Sequence, residues 1–182
     1  IGEVVDVEAS LSKLWDDNLS LREFDVQQAG GSFYELGSYP LLPIIKLLGT
    51  HYNRLSLYSR MKNGVDMYTK GIVHYDKAIC SFKVGLGVKT EGNLVISGTK
   101  GYAYVPAPWW KTDFFELRYE NQNDNKKFFY KWDGAGLRYE IQEFISSIVN
   151  HRHSSARLRI QESVCMAEIM QQFTERRNFI EI

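Results

Sequence analysis

The sequence predicts an α+β domain: a large, open, predominantly antiparallel mixed β-sheet with helices packed on one face. Short segments that alternate apolar and polar residues follow one another through short turns, which is typical of antiparallel strands. Beyond Tyr130 the apolar residues recur at helical spacing instead. The 182 residues are enough for one domain with a hydrophobic core, so we expect a single domain over residues 1–182.

The elements follow from local patterns. Val5 to Leu11 alternates as a half-buried strand does, and residues 12–28, which include Trp15, have no clear period and predict a loop. A helix is predicted from about residue 30 to 48, before Gly49. Seven further strands are predicted at 54–62, 67–76, 82–88, 93–97, 102–105, 115–119 and 128–130, and two further helices at 137–148 and 160–173.

The three helices can cover only one face of such a sheet. The strands carry aromatic and branched residues on both faces, so we expect the other face to pack on a partner, a second copy of the chain. The chain starts with Ile1 and enters directly into a strand pattern, so we expect a domain of a longer protein.

Composition excludes several classes of function. The 22 basic and 22 acidic residues balance, which gives no electrostatic case for nucleic acid or an anionic membrane. No apolar run approaches the roughly 20 residues of a membrane span. Cys80 and Cys165 lie far apart in apolar patterns, so we interpret them as reduced core residues of a cytoplasmic protein.

The segment AGGSFYELGSYP, residues 29–40, holds the main candidate site. Glu35 and Tyr39 lie four residues apart and therefore share a face of a helix. Gly30 and Gly31 permit a close backbone approach. Tyr39 is either a general acid or base, which requires a nearby cation to lower its pKa, or a helix tyrosine with its ring in the core; the pattern alone leaves both open.

Other candidates are weaker. The run Gly85 to Gly92 has a threonine in place of the third glycine of a dinucleotide motif and lies between strands, so we interpret it as a hairpin loop. No metal site is predicted, because the four histidines lack neighbouring ligands: His51, His74, His151 and His153. Two further candidates for substrate contact each have an alternative as ordinary surface: Arg22, for an anionic group, and the Trp109, Trp110 and Lys111 patch, for a sugar face.

Two motifs carry a family resemblance. REFDVQQAGGSFYELGSYP (residues 22–40) resembles the segment GGG…D-x-G-x-(H/Y) that opens the second domain of the glucose–fructose oxidoreductase, inositol dehydrogenase and rhizopine-catabolism family (Gfo/Idh/MocA). VISGTKGYAYVPAPWW (residues 95–110) resembles that family's GT-x-G segment. GLRYEIQEFISSIV and QESVCMAEIMQQ resemble its last two helices, so nearly the whole chain is covered in the right order.

The resemblance implies the substrate-binding and oligomerisation domain of an NAD(P)-dependent oxidoreductase acting on a sugar, nucleotide sugar or cyclic polyol. Tyr39 falls on the family's catalytic His or Tyr, Glu35 on its usual Asp, and Gly30 and Gly31 near the nicotinamide. NAD or NADP would be bound mainly by an N-terminal Rossmann domain, with a catalytic lysine, that this chain does not contain; we expect no cofactor on this chain alone. Ala29 replaces the family's first glycine, and Glu35 is one methylene longer than Asp. The alternative function is a non-catalytic dimerising scaffold or sugar-binding module.

Overall fold

A nine-stranded sheet organises the residues that the computed structural model describes, which are 1–14, 21–131, 133–134 and 136–182. Its strands are β1 (Val4–Ser12), β2 (Arg54–Lys62), β3 (Val65–His74), β4 (Ile79–Gly85), β5 (Leu94–Gly98), β6 (Tyr102–Val105), β7 (Phe114–Arg118), β8 (Lys126–Phe129) and β9 (Phe179–Glu181). The helices are α1 (Ser32–Leu36), α2 (Ser38–Leu48), α3 (Leu137–Val149) and α4 (Ile160–Thr174). The predicted fold class is confirmed.

The strand order is β8-β7-β6-β5-β1-β4-β3-β2-β9, and the pairing is mixed. β1 pairs with β4, and β2 with β9, in parallel; the other neighbours are antiparallel. The parallel pair β1–β4 follows from the long connection between them, which holds α1, α2 and the β2–β3 hairpin. β9 lies in a segment for which we predicted no strand.

The predicted bounds differ from the observed ones by a few residues. β3 and β4 begin and end two or three residues earlier than alternation indicates, since residues at their predicted ends belong to the connections. The predicted loop at 12–28 contains two single 3-10 turns, Arg22–Phe24 and Val26–Gln28. Trp15 lies outside the described residues.

The helix predicted at 30–48 forms as α1 and α2, which are nearly continuous. Gly37 between them keeps right-handed helical angles, φ −64° and ψ −33°. Its N–H donates to Phe33 O at 2.8 Å, and its carbonyl accepts from Leu41 N at 3.3 Å, so the helical direction persists. Glu35 and Tyr39 therefore share one face, as the spacing predicts.

α1 and α2 lie on one face of the sheet and build the core. Phe33 of α1 stacks on Phe82 of β4 with ring centroids 5.6 Å apart, and both are fully buried. Gly71 of β3 leaves the room for the Phe82 ring, because a Cβ at that position would overlap it. Cys80 and Cys165 are both buried, as predicted for core residues.

α4 packs on α2 and is tied to it by an ion pair. Lys46 Nζ lies 2.9 Å from Glu162 Oε2, and Glu162 also accepts from Arg159 N at 2.7 Å, which caps α4. The hydrogen bond from Lys46 is the main cause that holds the pKa of Glu162 at about 2. This carboxylate therefore stabilises the fold above its ordinary pKa and loses the contribution as the pH falls towards 2.

α3 does not join the other helices on the sheet. Within the part of the chain that the structure describes, α3 makes no extensive contact with any strand or any other helix. Its apolar residues have the predicted helical spacing, yet all are exposed: Leu137, Ile141, Phe144, Ile145 and Ile148. No described helix is long and apolar enough to span a membrane.

The Phe33–Phe82 stack predicts a large effect of truncation. Phe33→Ala should lower the free energy of unfolding by about 3–5 kcal/mol, because it leaves a cavity in the core. Phe129→Ala is the control, since Phe129 is 71% exposed, and it should stay within about 0.5 kcal/mol of the wild type. Urea unfolding of the two variants measures the difference, and equal effects would show that this stack does not hold the helix on the sheet.

Candidate functional site

The candidate site is built where the chain turns from the 3-10 segment at residues 22–28 into α1. Asp25 holds this turn: its carboxylate accepts from Gln27 N at 2.9 Å and from Gln28 Nε2 at 2.7 Å. The Gln28 hydrogen bond, more than the backbone one, lowers the pKa of Asp25. Gly30 N donates back to Asp25 O at 2.9 Å, so the loop closes just before the helix.

Both glycines are required by close approaches within the protein. A Cβ on Gly30 would lie 2.6 Å from Glu23 O, and Gly31 has φ +117°, which L side chains rarely adopt. A Cβ on Gly31 would also overlap Asp66 Oδ1. The space beside each glycine is therefore filled by protein atoms, which explains the motif through folding. Whether these glycines also lie near a nicotinamide stays a prediction.

Arg22 and Glu35, both predicted to contact substrate, are brought together by the fold. Arg22 Nη2 lies 2.7 Å from Glu35 Oε1, with side chains that are 50% and 21% exposed. A pair this accessible to water contributes little to stability. It does fix the direction in which the carboxylate of Glu35 faces.

Tyr39 lies on the exposed side of α2 rather than in the core. Its side chain is 46% exposed, and its hydroxyl makes no hydrogen bond within the described ranges. Pro43, inside the same helix, has no N–H, so the Tyr39 carbonyl lacks its usual helical partner. The alternative of a core tyrosine is therefore not what the fold builds, whereas its catalytic role stays a prediction.

Asp66 on β3 is a site residue that the sequence did not reveal. It is 1% exposed, and its Oδ2 accepts from Ser32 Oγ at 2.5 Å, Thr69 Oγ1 at 2.5 Å and Phe33 N at 3.0 Å. Burial outweighs these hydrogen bonds and raises the pKa of Asp66 to about 6. The Asp66 side chain thus reaches the start of α1 from beneath.

Ala29 occupies a position that suits glycine. Its φ of +54° and ψ of +40° are left-handed, which is strained for a residue with a Cβ by about 1–2 kcal/mol. The backbone thus keeps the conformation expected of the glycine that Ala29 replaces.

The aromatic and basic patch is ordered but separate. Trp109 Nε1 donates to Ser10 O at 3.0 Å, and Trp109 meets Trp110 edge to face at 6.0 Å between centroids. Lys111 N donates to Pro108 O at 2.8 Å, which closes a turn. No contact found among the described residues joins this patch to Arg22, Glu35 or Tyr39, and its sugar-binding role stays a prediction.

Nothing in the described residues adds a metal site. No group of three or more His, Cys, Asp or Glu side chains there could hold a metal ion. The glycine-rich run at 85–92 lies between β4 and β5, but the predicted hairpin loop is wrong, because β1 lies between these two strands in the sheet.

A match to a family model shows to which family the chain belongs. The model described as the GFO/IDH/MocA C-terminal domain matches residues 1–104, more than half of the sequence. The chain belongs to the Gfo/Idh/MocA family. Among curated members, trans-1,2-dihydrobenzene-1,2-diol dehydrogenase of Oryctolagus cuniculus is 28% identical over 161 residues, and that of Sus scrofa is 26% identical over 160 residues.

The Gfo/Idh/MocA chain spans about half the length of these relatives. The alignments cover 84% and 83% of it, but only 49% and 48% of the two dehydrogenases. Solved structures show the same fold. KijD10, a 3-ketoreductase from Actinomadura kijaniata solved with NADP and TDP-benzene, has a TM-score of 0.80 at 14% identity, covering 100% of this chain and 56% of its own. The UDP-N-acetylglucosamine 3-dehydrogenase GnnA from Acidithiobacillus ferrooxidans has a TM-score of 0.71 at 14% identity, covering 93% and 52%.

The geometry at Gly31 predicts that any side chain at this position lowers the stability of the domain. Gly31→Ala should destabilise the domain by at least about 2 kcal/mol, since it combines a strained φ with an overlap on Asp66. Gly136→Ala is the matched control: no atom lies within 4 Å of a Cβ built there, and its φ of −56° is helical. That control should be stabilising by about 0.5 kcal/mol. Thermal unfolding compares them, and a neutral Gly31→Ala would contradict the described turn.

Proposed function

We propose that this chain is the substrate-binding and oligomerisation domain of an NAD(P)-dependent oxidoreductase. Its substrate class is a sugar, a nucleotide sugar or a cyclic polyol, oxidised or reduced at a secondary alcohol carbon. Family membership supports the reaction class, and the activities of the relatives support the substrate class: a dihydrodiol dehydrogenase, a 3-ketoreductase and a UDP-N-acetylglucosamine 3-dehydrogenase.

One observation carries the proposal. The near-continuous α1 and α2 present Glu35 and Tyr39 on one face, directly after the glycine turn; by resemblance, Tyr39 corresponds to the family's catalytic His or Tyr and Glu35 to its usual Asp. Tyr39 is 46% exposed and its hydroxyl is free of hydrogen bonds within the described ranges, which suits a group that meets its partner only in the complete protein.

Each side chain has one role in the proposal. Oxidation of an alcohol removes a hydride from carbon and a proton from oxygen, and Tyr39 exchanges that proton. Glu35 accepts a hydrogen bond from a substrate hydroxyl, and Arg22 holds its carboxylate or binds an anionic group of the substrate. The Trp109, Trp110 and Lys111 patch contacts the sugar face.

The cofactor belongs to another domain in this proposal. The described residues do not fit an NAD(P) cradle, since Glu23 O and Asp66 Oδ1 already fill the space beside Gly30 and Gly31. NAD or NADP and the catalytic lysine therefore lie in an N-terminal domain of a longer protein, in keeping with relatives about twice as long as this chain. We place that protein in the cytoplasm, on the basis of two unpaired buried cysteines.

A specific observation also favours the second candidate function. In a non-catalytic scaffold or sugar-binding module, Arg22 and Glu35 serve mainly each other, and their 2.7 Å ion pair fits that role. The scaffold is the correct function if a protein that contains both Tyr39 and the cofactor domain shows no catalysis.

Tyr39→Phe should lower kcat by about 10²–10⁴-fold in the longer protein, because it removes the proton-exchanging group and keeps the ring. Tyr34→Phe is the matched control: the Tyr34 hydroxyl is hydrogen-bonded to Thr174, away from the proposed site.

Glu35→Gln should act mainly on KM, since an amide still hydrogen-bonds a hydroxyl without charge assistance. Steady-state kinetics on the active polyol or sugar measures all three, and Tyr39→Phe with more than about half the wild-type kcat would show that the proton is exchanged by another group.

The sheet face opposite α1 and α2 should form a homodimer. This open face is lined by half-buried aromatic, branched and basic side chains: Tyr58, Lys70, Ile72, Lys83, Val95 and Tyr104. Light scattering should give about twice the 21.1 kDa chain mass.

Two charge substitutions locate the dimer surface. Ile72→Glu, in the middle of the open face, should give monomers, and Phe144→Glu, on the exposed stripe of α3, should not. Monomeric wild type, or monomers only from Phe144→Glu, would refute the sheet dimer.

A further inference from the structure

A β-bulge turns Asp66 towards the helices. Strict alternation along β3 would place it with Tyr68 and Lys70 on the open face. The register shifts between Arg60↔Tyr68 and Met61↔Asp66, so that one extra residue, Met67, is inserted. A bulge of this kind re-aims a side chain, and Asp66 ends with 1% exposure beneath α1.

Asp66 collects a chain of buried hydroxyl donors. Thr69 Oγ1 donates to Asp66 Oδ2 at 2.5 Å and lies 2.7 Å from Ser59 Oγ, so Ser59 must donate to Thr69. Ser32 donates to the same carboxylate oxygen from the other side at 2.5 Å. Ser32, Ser59 and Thr69 are each fully buried, so water does not compete for these bonds.

The other carboxylate oxygen faces the glycine turn. Asp66 Oδ1 is the one buried side-chain polar atom in the described residues without a hydrogen-bond partner. It lies so close to the Gly31 backbone that a Cβ on this residue would overlap it, while Oδ2 accepts from Phe33 N at 3.0 Å. Asp66 therefore holds both sides of the residue at which α1 begins.

We propose that Asp66 is a positioning residue for the reaction: by fixing the Gly31 turn and the Phe33 N–H in the first turn of α1, it sets the positions of Glu35 and Tyr39. This rests on the function proposed above. Glu35 lies one turn after Ser32, and Tyr39 one turn further along the same helical path. A displacement of about 1 Å at that start is enough to lower the rate of a reaction by about 10²-fold.

The protonation of Asp66 gives the proposal a second test, through the pH dependence of the stability of the domain. The groups that face it are uncharged: Ser32, Phe33 N–H and Gly31 from the α1 side, Thr69 from β3, and Ser59 of β2 through Thr69. Burial raises the pKa of Asp66 to about 6. Its stabilising contribution is therefore complete below the ordinary aspartate pKa and is lost as the pH rises through about 6.

The first test measures the local structure in the chain itself. In Asp66→Asn, amide hydrogen exchange at Phe33 should accelerate at least tenfold relative to amides of α4. The urea midpoint of the wild type should fall between about pH 4 and 6, and the variant should lack that step. Glu162→Gln, which also replaces a buried carboxylate by an amide, should leave Phe33 exchange unchanged. Equal acceleration at Phe33 in both variants would overturn the proposal.

The second test measures catalysis in the longer protein, at a temperature where each variant is folded. Asp66→Asn should lower kcat by about 10–100-fold, and Glu162→Gln less than about threefold. Thr69→Val removes a donor to Asp66 without touching α1 and should act in the same direction, while Thr69→Ser should restore the wild-type rate. These Thr69 variants keep the test valid if Asp66→Asn does not fold.

The outcomes separate this inference from the function on which it rests. If Tyr39→Phe is inactive but Asp66→Asn and Thr69→Val match the wild type, the positioning role is wrong and the function stands. If Tyr39→Phe is fully active, the proposed function is wrong, and the exchange at Phe33 alone then decides whether Asp66 fixes the turn.

Discussion

The candidate site is held in place by the packing of the Phe33 ring, which meets Phe82 of the sheet and Phe173 of α4. Phe33 stacks on Phe82, and Gly71 gives that ring its room, so the sheet fixes the first turn of α1 sideways. Asp66 fixes the same turn along the helix direction through the Phe33 N–H. With both constraints at one residue, the direction of the exposed face that carries Glu35 and Tyr39 is set, and the loop before it adds the ion pair from Arg22 to Glu35.

Most of the fold could be predicted because the apolar residues of β1 to β4 alternate over most of each strand. What escaped prediction breaks that period. Asp66 is hidden by a bulge, since one inserted residue reverses the face on which a side chain lies. β9 has three residues, too few for any alternation to be read. The spacing of α3 predicts a helix correctly, but spacing does not say which surface an apolar stripe meets.

The candidate residues were predicted as a set, whereas their mutual contacts needed the structure. Glu35 and Tyr39 follow from helical spacing, and the glycine pair from its sequence. The ion pair of Arg22 and Glu35 joins residues on different turns, and no local pattern predicts it. That pair also orients the carboxylate of Glu35. Arg22, from the preceding 3-10 turn, therefore positions a side chain that is one methylene longer than the family's aspartate.

The parallel pairing of β9 with β2 has a consequence for how the chain is made. β2 is an edge strand until residues 179–181 add to it, with Leu57 N donating to Asn178 O at 2.8 Å and Ile182 N to Ser59 O at 2.9 Å. On the ribosome, more than a hundred residues must emerge between these two strands. Throughout that interval the outer backbone groups of β2 are open to any other extended chain, so newly made molecules are most vulnerable to intermolecular strand exchange before α4 and β9 dock.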